Sequence, residues 1–209
     1  MPALSSSRDV LRALISNSYL PRQIPPIVTT RLFADFCKKH YTSINSQIDK
    51  IINQETQYIL LPVPNPKAPH SRRNLALVHP IAQLGVSILL TKHRAKIRSH
   101  IQKSSATLYD PNVNFNQDKA FSGIIFSDIR RRRLSLYAHH EVALQADISR
   151  CFYTIYTHSI PWAVLGKRRV KSMLRDKKKA VKFKTHWSNQ IDMALRACQS
   201  KETLGIPVG

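Results

Sequence analysis

Acidic side chains are scarce in this chain: 12 Asp and Glu stand against 33 Lys and Arg in 209 residues, a formal net charge of +21. That excess lies far beyond the magnitude of about 2 to 8 that keeps a small domain soluble. It sets up a field that attracts polyanions, of which nucleic acid is the commonest. A basic surface with no specific partner is the bland alternative, and a membrane-surface role a weaker one. Cysteine is also sparse. Cys37, Cys151 and Cys198 lie far apart with no Cys-x-x-Cys spacing, which argues against a zinc ribbon or a disulfide framework and fits a reducing compartment. No stretch approaches the roughly 20 apolar residues that span a bilayer. The start, Met1-Pro-Ala-Leu-Ser, lacks the basic-then-apolar pattern of a signal peptide. The expectation is a soluble, cytoplasmic protein. No internal repeat is visible. What is present is 43% hydrophobic content, enough for the core of one ordinary domain or one and a half small ones.

Periodicity divides the chain into three. Residues 1–57 read as helical. Val10, Leu11, Leu14 and Ile15 fall at helical spacing with Ser7 or Asp9 as N-cap, and Leu32 to Ile52 suggests two short amphipathic helices joined around His40. Residues 58–140 change texture. An apolar run from Tyr58 meets a proline-rich loop that ends in Arg72 and Arg73, a strand follows from Asn74, and Ile81 to His100 reads as a long helix. Arg130, Arg131, Arg132 and Arg133 then form a run that is either a solvated face or a set of phosphate contacts. In residues 141–209, Val142 to Asp147 reads as an apolar strand and Ser149 to Trp162 as a turn entering a helix. The basic stretch 166–184 reads as a nucleic-acid-facing or flexible loop, and His186 to Gln199 as a final amphipathic helix.

Asp147 is the residue with chemistry to explain. An acid at the end of an apolar strand is either a helix N-cap or a metal ligand. A strand-end carboxylate whose neighbour adds a backbone carbonyl is one way to hold a divalent cation. Phe152 and Tyr153, taken alone, read as core aromatics, and His158 as a hydrogen-bonded structural histidine.

The segment Asp147-Ile-Ser-Arg-Cys-Phe-Tyr-Thr-Ile-Tyr-Thr-His-Ser-Ile-Pro-Trp162, completed by Gly166-Lys167, resembles motif A of the reverse transcriptases. It is most similar to the bacterial group associated with abortive infection and antiphage defence. Leu195-Arg-Ala-Cys-Gln-Ser-Lys-Glu-Thr-Leu-Gly-Ile-Pro-Val-Gly209 resembles the same group's motif B. Two departures stand out. Glu202 replaces a customary glutamine, and Cys151 stands where many relatives carry an aromatic residue. Together the two motifs cover roughly residues 140–209. Upstream, Arg72 to Gln83 resembles a fingers segment.

The resemblance implies an α+β fold, with an N-terminal helical segment (1–57), fingers (58–140) and an incomplete right-hand palm (141–209). It implies an RNA-directed DNA polymerase that uses deoxynucleotides, a nucleic-acid template and primer, and Mg2+. Asp147 would be the first metal-binding carboxylate, with Ile148 adding its carbonyl. Arg72 or Arg73 would grip the triphosphate. Phe152 would be the steric gate against a ribose 2′-hydroxyl, and Gly205, Pro207 and Gly209 would shape the nucleotide loop, glycine permitting close backbone approach. The family's second metal-binding element, an aromatic-x-Asp-Asp hairpin, occurs nowhere in the 209 residues. The chain by itself is therefore expected to be inactive, an N-terminal part whose remaining palm and thumb reside elsewhere, as a separate chain or in a homo-oligomer. Its palm sheet is expected to leave an open edge beside Val142–Asp147. A non-catalytic nucleic-acid-binding or assembly subunit is the alternative.

Overall fold

A computed structural model describes residues 6–21, 24–25, 27–53, 58–68, 71–104, 120–121, 126–148 and 150–207, with the backbone alone at 18, 53, 67, 68 and 71–73. It is a mixed helix and strand protein, predominantly helical, with one two-stranded sheet among the described residues.

The first helix, α1 (Ser7–Ser18), starts one residue before the expected caps. The Ser6 hydroxyl accepts the Asp9 amide and donates to the Asp9 carboxylate. Where two helices were expected, three form: α2 (Arg31–Lys39), α3 (Tyr41–Ser46) and α4 (Ile48–Asn53). Two ion pairs tie α1 to α2, Arg12 to Asp35 at 2.5 Å and Lys38 to Asp9 at 2.8 Å. All four side chains are substantially exposed, so each pair contributes at most about 1 kcal/mol. Apolar burial dominates instead: Leu11, Ile15, Ala34 and Cys37 are fully enclosed, and a buried Leu or Ile contributes about 1.5–3 kcal/mol.

The proline-rich run forms a strand rather than a loop. β1 (Leu61–Ala68) pairs antiparallel with β2 (Ser71–Leu77), Leu61 facing Leu77 and Pro64 facing Asn74. Successive residues of a strand turn their amides to opposite sides. Pro62, Pro64 and Pro66 alternate, so all three place their missing N–H on the side away from β2 and the ladder survives.

The next element, α5 (Pro80–Ile101), is the axis of the fold, with Pro80 at its first turn and the His79 ring capping it. Its buried face is wider than the expected stripe and takes in Leu84, Gly85, Ile88, Leu89, Thr91 and His93. Helices α1, α4 and α11 all pack on it. At Gly85 a Cβ would stand 3.2 Å from the Ile51 side chain, so glycine sets how closely α4 approaches.

Downstream come α6 (Phe126–Tyr137), α7 (Cys151–Thr154), α8 (Ser159–Leu165), α9 (Lys167–Arg175), α10 (Lys177–Lys184) and α11 (Trp187–Ala197). Two expectations fail here. The basic stretch 166–184 is a pair of helices, not a loop: Val170 and Phe183 are buried, and the Asp176 carboxylate caps α10 through the Lys178 and Lys179 amides. Val142–Asp147 is not a strand. It runs without regular structure, with Val142 84% and Leu144 94% exposed, because a strand exists only by pairing and no described segment lies alongside to supply the bonds.

Two histidines make the core sensitive to acid. Burial lowers the pKa of His93 below its ordinary 6.5, and burial followed by Lys96 and Arg169 does the same for His186. A depressed histidine stabilises the fold above the unfolded value and loses that contribution as pH falls through the folded value. Stability is therefore expected to decline below about pH 6.5. Both rings lie near Trp187, with centroids 6.3 and 5.8 Å away, so its fluorescence in urea titrations at pH 5.5 and 7.5 measures the difference. A flat midpoint across that range would contradict this account. Burial also raises the thiols of Cys37 to about 11 and Cys198 to about 12, while Cys151 is only half-buried. A thiol reagent should label one cysteine in the native protein and three in denaturant, since the thiolate is the reacting species.

Candidate functional site

The segment that resembles motif A begins at the end of the exposed run, at Asp147. The Asp147 carboxylate lies in solvent and its Oδ1 accepts the Ile148 amide at 2.9 Å. Arg150 then takes a left-handed conformation (φ 51°, ψ 38°) and its carbonyl receives the amides of Tyr153 and Thr154. This abrupt reversal starts α7 and swings the aromatic pair outward. Phe152 and Tyr153 are 46% and 42% exposed, which corrects their reading as core residues. Half-exposed rings beside a backbone loop are available to a ligand. The Tyr153 hydroxyl donates to the Asn74 carbonyl of β2, so motif A is fastened to the β-hairpin.

Motif B closes over motif A through the backbone. The Thr157 amide donates to the Thr203 carbonyl (2.9 Å), the Gly205 amide to Ile155 (2.8 Å) and the Ile206 amide to Phe152 (2.7 Å). Tyr156 and Leu204 form an isolated antiparallel bridge. Gly205 sits at φ 92°, and a Cβ there would meet Tyr153 and Phe152 backbone atoms at ordinary contact distances of 3.4 to 3.7 Å. The positive φ is what favours glycine. The loop is drawn together by Gln199, whose buried side-chain amide donates to the carbonyls of Glu202 and Gly205, both at 2.9 Å. Its outer rim is anchored at Ser200, whose amide and hydroxyl both donate to the Tyr58 carbonyl. The Glu202 side chain is exposed. Pro207 is half-buried at the end of the loop, and Gly209 lies outside the described residues.

A second link ties the first segment to α11. His158 Nδ1 and Asp192 Oδ2 are 2.5 Å apart, with Asp192 only 1% exposed in the middle of α11. Tyr156 meets the His158 ring edge-on at 4.9 Å. This fits the expected structural role of His158. Its partner was not foreseen, nor was the role of Gln199: in the sequence both are single polar residues within an amphipathic helix pattern, and only packing shows that they are interior.

The site residues expected from sequence are brought together in part. Asp147, Ile148, Phe152, Gly205 and Pro207 belong to one pair of stitched segments. Arg72 and Arg73 lie on β2 opposite Pro66 and Asn65, flanking the Asn74 anchor in sequence, and their side chains lie outside the described residues. Arg130 to Arg133 are all exposed on α6, a helix with no buried residue. Successive helical residues point about 100° apart, so these four surround the helix rather than form one face. Magnesium asks for six oxygen ligands in near-octahedral array. Here one carboxylate and one backbone carbonyl are at hand, and no group of three or more His, Cys, Asp or Glu side chains gathers among the described residues.

Replacing Gln199 by Leu should leave the Glu202 and Gly205 carbonyls without their buried donor, a loss of about 1–3 kcal/mol. Urea melts of the variant check this, and an unchanged midpoint would show that the loop holds without it. No model of a known protein family matches the chain, and no curated protein does, so a function has to be argued from these residues and their geometry.

Proposed function

We propose that the chain is the fingers and palm part of an RNA-directed DNA polymerase of the defence-associated reverse transcriptase type, which acts in antiviral defence once its catalytic set is complete. The observation that carries this reading is the backbone stitch between the two segments that resemble motifs A and B. Segments separated by about 40 residues in sequence, each recognised by its own residues, meet through Gly205 on Phe152 and Tyr153. A palm needs that meeting to present a nucleotide to its catalytic carboxylate. In this reading Asp147 is the first catalytic carboxylate, Phe152 the gate against ribose, and Arg72 or Arg73 the contact to the triphosphate. Catalysis then requires further carboxylates, because phosphoryl transfer of this kind relies on two divalent ions and the 209 residues hold no Asp-Asp pair.

The incomplete carboxylate set favours a second reading specifically. In that reading the chain is a non-catalytic subunit that binds nucleic acid through its basic surface. Both readings share the net charge of +21 and the exposed arginines of α6.

The chain alone should incorporate no deoxynucleotide with magnesium present. When it is supplied, in cis or in trans, with a segment bearing an aromatic-x-Asp-Asp hairpin from the same or the adjacent gene, incorporation should appear and vanish in Asp147→Ala. Incorporation that survives in the variant would refute the catalytic role of Asp147, and absence of any such segment from the locus would favour the binding subunit. Nucleic-acid affinity should fall steeply with salt in both readings. Changing Arg130, Arg131, Arg132 and Arg133 together to glutamine should lower the log–log salt slope by about 1.4 for single strands, since two of the four can face one strand at about 0.7 each. An unaltered slope would remove α6 from the interface.

A further inference from the structure

Helices α8, α9, α10 and α11 enclose a cavity of about 930 Å³, of a size that takes a small organic ligand. Neither Asp147 nor Phe152 lines it, while Tyr156 and Trp162 of the first motif-like segment and Arg196 of the second do. Its walls carry three kinds of group. Tyr156, Trp162 and Phe183 supply aromatic surface, Lys171, Lys184 and Arg196 supply positive charge, and Asp49 and Asp192 supply carboxylates.

Asp192 is the informative member. Its carboxylate is almost wholly buried, Oδ2 is engaged by His158, and Oδ1 has no hydrogen-bond partner in the structure. A buried acceptor left unmade is costly; Oδ1 itself has no accessible surface, and a small turn of the carboxylate presents it to a ligand that brings an N–H donor into the cavity that Asp192 lines. Trp162 is held in place by its neighbours: Lys167 Nζ lies 4.7 Å from its centroid, and the Tyr156 ring is 5.3 Å away. The apolar wall is therefore a fixed surface. The surrounding helices α9 and α10 place ten Lys and Arg within residues 167–184 against the single acid Asp176, a field that draws in anions.

An aromatic-walled interior, an orphan carboxylate and a cationic surround match one ligand chemistry. We propose that this cavity is a nucleotide-binding site, with the base inside, its exocyclic N–H directed to Asp192, and its phosphate held by Lys171, Lys184 and Arg196. The occupant is a free nucleotide or the terminal nucleotide of a single strand, two sources of the same chemistry. The proposal does not use the roles that the polymerase reading gives to Asp147, Phe152, Arg72 or Arg73, although Tyr156, Trp162 and Arg196 lie in the segments that resemble motifs A and B.

The test is a fluorescence titration. A Trp187→Phe background leaves Trp162 as the sole tryptophan. AMP, purine riboside monophosphate and a short oligodeoxynucleotide are titrated separately at constant ionic strength. Saturable quenching by AMP supports a site for the free nucleotide, and quenching by the oligonucleotide alone supports the strand terminus. For AMP, purine riboside monophosphate, which lacks the exocyclic amine, should bind about tenfold more weakly, and equal affinity would overturn the role of Asp192. For either ligand, Lys171→Gln with Arg196→Gln should weaken binding about tenfold, and Phe183→Leu should weaken it without change in the thermal midpoint beyond that of an ordinary core substitution. No quenching by any of the three, or quenching unaffected by all of these substitutions, overturns the site.

Discussion

The lower half of this protein depends on three backbone hydrogen bonds, those from Thr157, Gly205 and Ile206 to Thr203, Ile155 and Phe152. Backbone bonds of this kind are indifferent to side-chain identity but demand shape. Left-handed residues supply that shape, Arg150 on one segment and Ser200 and Lys201 on the other, with Gly205 at positive φ where glycine is unstrained. A non-glycine residue in the left-handed region costs about 1–2 kcal/mol, so the surroundings must hold Arg150 there. The short turn of α7 does so by using its carbonyl twice. From this stitch the positions of Phe152, Tyr153 and the loop up to Pro207 all follow.

Behind the stitch lies a layer of buried polar contacts. Gln199 collects the motif B carbonyls, and Asp192 receives His158. Asp192 lies on α11 and Gln199 in the turn that follows it, and α11 also packs on α5. The helix thus transmits the position of the main core to the loop. Polar groups placed this way are costly when unmatched, which makes them specific: a loop in the wrong register would strand several of them at once. Two interior polar atoms in this region, Thr157 Oγ1 and Asp192 Oδ1, have no hydrogen-bond partner in the structure.

Much of the helical frame was legible from periodicity. The long helix beginning at Pro80, the helix ending near Gln199 and the N-terminal helix follow their apolar spacing, because burial against a common core rewards that pattern and little else. The failures have particular causes. In residues 166–184 the density of charge hid two helices whose anchoring needs only Val170 and Phe183. In Val142–Asp147 the apolar spacing describes what the segment would do beside a partner strand, and sequence cannot say whether one is present. Tyr58 to Arg73 looked like a loop because proline is usually read as a breaker, whereas its spacing of two is what a strand tolerates. At the site, the supports were not legible. Gln199 and Asp192 become interior only through the way α11 lies between α5 and the loop.

The proline spacing in β1 gives the hairpin a direction. Its outer edge, occupied by Pro62, Pro64 and Pro66, has no amides to offer a further strand. Asn74 lies opposite Pro64, so its carbonyl faces outward from the opposite edge, where the Tyr153 hydroxyl takes it. The sheet can be extended on one flank alone, and that flank is already held by motif A. Any strand joining it would have to evict Tyr153, which makes the tyrosine a latch on the growth of the sheet as well as an anchor for the loop.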